Sequence, residues 1–318
     1  MPRPRALAHS VLRAAISIAV VAYILVAVDR EALWRALASV RLQALLLPFA
    51  LYLAGQAVSA VKWWMLGTAV GLDRPMLDYM RYYFIGMFLN VFGLSTLGGD
   101  VVRGLYLGGG HRPALALNSV VFDRVSGLAI LMAMGAVALL AFPRYRLPLA
   151  LSASLIAGGL ALVVGWWTCP RLVRLLPPGN RVRRQVEHDL APFWSDRRLL
   201  VVVSLVSLAF HLSQVGVQWL LARAAGTAVP FSYCLVMHPI LSLMLALPLS
   251  IGGFGVREGG YLYFLGKIGV DESVAVTMGL LWWLMTALSG LVGAGVFLAS
   301  GAELPRLRAR PDRARDVA

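Results

Sequence analysis

Two short stretches of this chain repeat one pattern. Gly98-Gly99-Asp100-Val101-Val102-Arg103 and Gly252-Gly253-Phe254-Gly255-Val256-Arg257 both read Gly-Gly-x-x-Val-Arg, and each closes a long apolar run. A pair of glycines weakens a helix because the backbone loses more entropy there than at other residues. A charged side chain in hydrocarbon costs about 2.5–3.5 kcal/mol on insertion scales. A broken helix followed by a cation, placed twice at corresponding positions, is a pattern of membrane transporters. Gly, Val and Arg are common in this chain, so the six-residue match could also arise by chance. The order of the apolar segments bears on that choice.

The chain has 318 residues, of which 59% are hydrophobic and 14% charged. Soluble domains carry about 25% charged residues, so the composition is that of an integral membrane protein. The net charge is +14, almost all of it from arginine, since lysine occurs only at Lys62 and Lys267. Such a balance can serve nucleic acid. Here the arginines fall in loops and tails between apolar runs, which points to membrane topology and anionic lipid headgroups and to no nucleic-acid partner. Cys169 and Cys234 lie in or beside apolar segments, and no metal-ligand spacing is present. Arg3, Arg5 and Arg13 precede an apolar run without a small-x-small cleavage site, which reads as a retained anchor.

The apolar periodicity predicts about six transmembrane helices, at 11–28, 42–66, 114–142, 148–168, 199–222 and 273–300. The pair Lys62-Trp63 with Trp64, and Trp166-Trp167, suit the membrane interface. Residues 29–41 read as a charged linker. The segments 79–110 and 230–269 are each too short for two full crossings and are expected to be broken re-entrant hairpins. The hairpin-break glycines are Gly98, Gly99, Gly252, Gly253 and Gly255. The loop 170–198 and the tail 305–318 are rich in arginine, so both are expected on the cytoplasmic side, the tail as a disordered basic extension. With the N-terminus inside as well, every strongly basic segment falls on one side. The hairpins then enter from opposite sides. This is an all-α, multi-pass domain over 1–304 with inverted halves at about 42–142 and 199–300.

Three places resemble the flippase-like family that includes the transmembrane half of bacterial lysylphosphatidylglycerol synthases. They are Asn90 through Arg103, the run Phe122-Asp123-Arg124-Val125-Ser126-Gly127-Leu128, and the run from Pro248 through Glu258. Relatives often carry Pro and Gly-Glu in the first hairpin, where this chain has Leu94-Ser95 and Gly99-Asp100. The aminoacyl-transferring soluble domain needs some hundreds of further residues. The resemblance therefore implies a bacterial inner-membrane protein that handles or translocates lipid, not aminoacyl transfer.

The candidate substrate-path residues are Asp100, Arg103, Asp123, Arg124, Arg257 and Glu258. Charges at membrane depth pair with each other or line a path. Asp100 and Arg103 stand three apart, on one helical face. Arg257 and Glu258 are adjacent and are expected to reach across the halves, Arg257 to Asp100 or Asp123 and Glu258 to Arg103. An arginine held by a carboxylate can exchange it for a lipid phosphate. The other reading, that these pairs only lock the hairpins together, stays open. Ser204, Ser207, His211, Gln214 and Gln218 recur at steps of three and four. They are expected to form one polar face, either a seam (His211, Gln214, Gln218) or helix–helix hydrogen bonds. His111 and His238 read as structural or solvated. No nucleophile motif, phosphate loop or cofactor motif occurs, so nothing argues for an enzyme or a cofactor. The leading expectation is translocation of an anionic or aminoacylated phospholipid, or of a polyprenyl-linked lipid, between leaflets. The alternative is a non-transporting subunit that scaffolds a lipid-modifying enzyme, docking through the basic loop. Transport of a small soluble solute would call for a two-fold homo-oligomer to enclose a pore.

Overall fold

The computed structural model describes residues 29–92, 98–109, 112–145, 147–246 and 253–301, and at 166–167, 181 and 188–189 the backbone alone. The expected first span, His111, Gly252 and the basic tail lie outside the described residues. Among the described residues every regular element is helical.

Four helices are long and apolar enough to cross a membrane: Leu42–Ala69, Pro113–Ala141, Arg197–Ala224 and Glu272–Ser300. At 1.5 Å per residue each exceeds the hydrocarbon core of about 30 Å. Leu149–Gly165 and Thr168–Leu175 form a fifth span if the pair, bent by 61°, is counted as one. We label the helices α1 (Arg30–Ser39), α2 (Leu46–Ala69, after a 3-10 turn), α3 (Met76–Phe92), α4 (Gly98–Gly108), α5 (Pro113–Ala141), α6 (Leu149–Leu172), α7 (Arg197–Ala224), α8 (Phe231–Ala246), α9 (Val256–Gly266) and α10 (Glu272–Ser300).

The expected linker at 29–41 is instead largely the helix α1. Asp29 caps it, its carboxylate accepting from the N–H groups of Glu31 at 2.9 Å and Ala32 at 3.3 Å. Leu33 then packs beside Val276 of α10. The interface reading of Lys62 and Trp63 is also overturned. Both are buried, and the Trp63 indole donates to Ser119 Oγ at 3.0 Å. The apolar run continues through Leu66 to Ala69, which carries the pair inside the bundle. The Trp166-Trp167 side chains lie outside the described set.

Two short helix pairs complete the bundle. α3 packs on α4, and α8 on α9. The first pair opens where α2 ends and α5 begins: the Tyr79 hydroxyl donates to the Leu72 carbonyl at 2.7 Å, and Arg112 donates to Gly71 O at 3.3 Å. The second opens where α5 ends, with the Tyr145 hydroxyl 2.8 Å from Ser232 Oγ and Arg144 donating to the same oxygen at 3.1 Å. α3 also packs closely on α10, where a Cβ on Gly293 would overlap the Phe84 carbonyl.

The glycines of the repeat act differently in the two pairs. Gly98 and Gly99 are the first residues of α4, and residues 93–97 before them lie outside the described residues. Gly99 lets the two arms touch, since a Cβ there would overlap the Gly86 carbonyl. Gly253 and Gly255 take φ of +78° and +83°, a left-handed backbone that suits only glycine well.

Candidate functional site

Five charged side chains from three helices meet inside the bundle. Lys62 comes from α2, Asp100 and Arg103 from α4, and Asp123 and Arg124 from α5. Asp123 is the eleventh residue of α5, so it lies about 15 Å from the helix start, near half the hydrocarbon thickness. Its carboxylate takes Lys62 Nζ on one oxygen at 2.9 Å and Arg103 Nη2 on the other at 3.0 Å. Lys62 also donates to the Asp123 backbone carbonyl at 2.9 Å. Arg103 Nε donates to Asp100 Oδ1 at 3.0 Å, the three-residue pairing expected from their spacing. The Arg103 guanidinium lies between Trp63 and Tyr83, 4.6 and 4.8 Å from their ring centroids. Its Nη1 finds no acceptor among the described residues.

Arg124 completes the network differently. Its Nε and Nη2 donate to the two oxygens of Asp100 at 3.0 and 2.8 Å, a bidentate fork. Whereas Arg103 is 2% exposed at its side chain, Arg124 is 55% exposed. The network is therefore buried at one end and open at the other. Among the described residues three cationic side chains meet two carboxylates, which leaves one positive charge in excess. At this depth an unbalanced charge is costly, and its natural complement is an anion.

The expected pairing across the halves is overturned. Asp100 and Asp123 are taken by Lys62, Arg103 and Arg124, all from the first half. Glu258 instead stands 3.7 Å from its neighbour Arg257, and its other oxygen accepts the Gly255 N–H at 2.7 Å. Adjacent residues on a helix point apart, but Glu258 folds back onto the first turn of α9. There it satisfies an amide that the helix start leaves free. The Arg257 guanidinium lies 5.6 Å from the Phe254 ring centroid. Arg257 and Glu258 are both buried.

The polar face of α7 points inward. Ser207, His211, Gln214 and Gln218 are buried, and Ser204 is half-buried. His211 Nε2 lies 3.0 Å from the Gly127 carbonyl, and its ring is 6.0 Å from that of His238, which is also buried. A Cβ on Gly127 would meet Lys62 Nζ at 3.3 Å. Gly127 thus brings the α7 face against the ion-pair network, and Lys62 joins the two.

Lys62 is the member that sequence reading missed. Its signal was position: it precedes a further seven residues of the same helix, so it cannot sit at the helix end. Among the described residues no group of three or more His, Cys, Asp or Glu side chains could hold a metal ion.

A search of curated proteins found no match. A family model described as the lysylphosphatidylglycerol synthase transmembrane region matches residues 10–294. That range holds all five residues of the network, the α7 polar face and both Gly-Gly-x-x-Val-Arg stretches, and the chain belongs to this family.

Proposed function

We propose that the protein moves a lipid with an anionic headgroup between membrane leaflets. A phospholipid, anionic or aminoacylated, or a polyprenyl-linked lipid carries the phosphate this site suits. The observation that carries the reading is the half-exposed Arg124 fork on Asp100, at the open end of a network with one excess positive charge. A lipid phosphate can replace Asp100 on Arg124, because guanidinium binds either anion through two parallel hydrogen bonds. Asp100 retains Arg103 as a partner during that exchange. The α7 face beyond Lys62 offers polar groups for the headgroup while the acyl chains stay in lipid.

The proposal includes six spans, with the first at 11–28, and two re-entrant hairpins in inverted halves. Supporting it, α3–α4 opens at the end of the bundle where α2 ends, and α8–α9 at the end where α5 ends. The basic loop and both termini are then cytoplasmic in a bacterial inner membrane.

The test is leaflet exchange of fluorescent lipids in reconstituted vesicles. Wild type should accelerate exchange of at least one phosphate-bearing lipid. Arg124→Gln should lose most of that acceleration while the protein stays folded, because the buried Asp100 keeps Arg103 as its partner. Wild type that accelerates none of the lipid classes named above overturns the reading.

A further inference from the structure

The segment between α6 and α7 is docked on the bundle and borders two cavities. Phe193 is fully buried and stacks on Phe122 of α5, with centroids 3.9 Å apart. Trp194 meets the same Phe122 ring edge-on at 5.3 Å. Arg183 fixes the fold of the segment: it pairs with Glu187 at 3.0 Å and donates to the carbonyls of Arg174 at 3.1 Å and Leu176 at 2.8 Å. Gln185 then donates to Asn118 of α5 at 2.6 Å.

Two cavities flank this segment. The first, about 510 Å³, is lined by Arg171, Arg174 and Arg197, with Glu187 the one carboxylate on its wall. Glu187 is already engaged by Arg183, and among the described residues no carboxylate pairs with the three arginines of the cavity. The second, about 360 Å³, runs between α5 and α6 along Val121, Val125, Leu162 and Gly165. Val121 is 59% exposed, on the outer face of the bundle that our reading places in lipid. Val186 and Trp194 line both cavities, so the cationic chamber and the apolar groove adjoin. Arg171 lies in the last turn of α6 and Arg197 is the first residue of α7, at the end of the bundle where headgroups sit. Both volumes fall in the usual range for ligand pockets, about 300–1,000 Å³.

We infer that this site holds an anionic glycerophospholipid. The headgroup phosphate sits among Arg171, Arg174 and Arg197, and an acyl chain lies in the α5–α6 groove. Charge complementarity selects the headgroup, and the apolar groove beside it selects a lipid over a soluble anion. The site is separate from the Arg124 network and does not depend on translocation.

Native mass spectrometry of the full chain in neutral detergent, titrated with phosphatidic acid or phosphatidylcholine, tests this. Wild type should bind at least one phosphatidic acid and release phosphatidylcholine. The triple change Arg171→Gln, Arg174→Gln and Arg197→Gln should weaken phosphatidic acid binding about tenfold or more, since hydrogen bonds to charged groups are lost. Gly165→Trp should weaken it comparably by filling the groove. It serves as the independent variant, because nothing lies within 4 Å of a Cβ built at Gly165. Glycerol 3-phosphate should not displace the lipid. Wild-type affinity in Gly165→Trp overturns the inference, as does equal binding of phosphatidylcholine or displacement by glycerol 3-phosphate. Loss of the lipid in Arg124→Gln alone would place it in the other site and overturn the inference too.

Discussion

Asp123 is the residue on which the charged network depends. One carboxylate holds Lys62 and Arg103, both buried. Removing one partner of a buried pair leaves an uncompensated charge, which costs about 3–5 kcal/mol. Asp123→Asn should therefore lower the thermal stability of the purified protein by an amount of that order. A variant that melts like wild type would show that neither cation relies on the carboxylate. Arg103 has support besides charge, since Trp63 and Tyr83 flank its guanidinium. At this scale the charged residues of α4 and α5 were legible in the sequence, because aspartate and arginine in apolar runs demand partners. Lys62 was not. A lysine beside two tryptophans reads as an interface cluster, and its partner Asp123 lies 61 positions away.

The α3–α4 hairpin shows how closely an element can depend on one atom. Gly99 meets Gly86 with no room for a side chain, and the Gly99 N–H donates to Asn90 Oδ1 at 2.9 Å. Gly99→Val should separate the arms and displace Asp100 next to it, at about 1–3 kcal/mol for overpacking. Asn90→Ala should cost about 1 kcal/mol, as for a lost cap, and leave the arms in contact. Chemical denaturation in detergent, with cross-linking between arm positions, separates the two outcomes: equal loss of cross-linking in both would contradict the packing role of Gly99. The long helices were legible to within a few residues because hydrocarbon thickness fixes their length. The docking of 185–195 was not. It rests on Phe193 finding Phe122, a contact that no local periodicity encodes.

For the whole molecule, the six-span reading assigns sides. After replacing Cys169 and Cys234 with serine, single cysteines at Asp73, Asn180 and Lys267 should react with a membrane-impermeant reagent. Positions 73 and 180 should react from the cytoplasmic side and 267 from the other. Labelling of 180 and 267 from one side would overturn the inverted arrangement. The chain order and the basic loop are what the six-span reading rests on. Which charges would meet was not readable from the repeat. The repeat suggested exchange between halves, whereas the first half gathers its own partners and Glu258 turns back onto Gly255.

The position of α6 has a mechanical consequence. Its long partner in the bundle is α5, and Gly158 and Gly159 meet Met132 along that contact. Tilt in a membrane helix is set by its neighbours and its interfacial anchors. A helix with one long neighbour among the described residues answers to the bilayer itself, so α6 should tilt with hydrocarbon thickness while the other spans hold their angles. The groove between α5 and α6 then narrows or widens with membrane composition, and the bilayer becomes a working part of the protein.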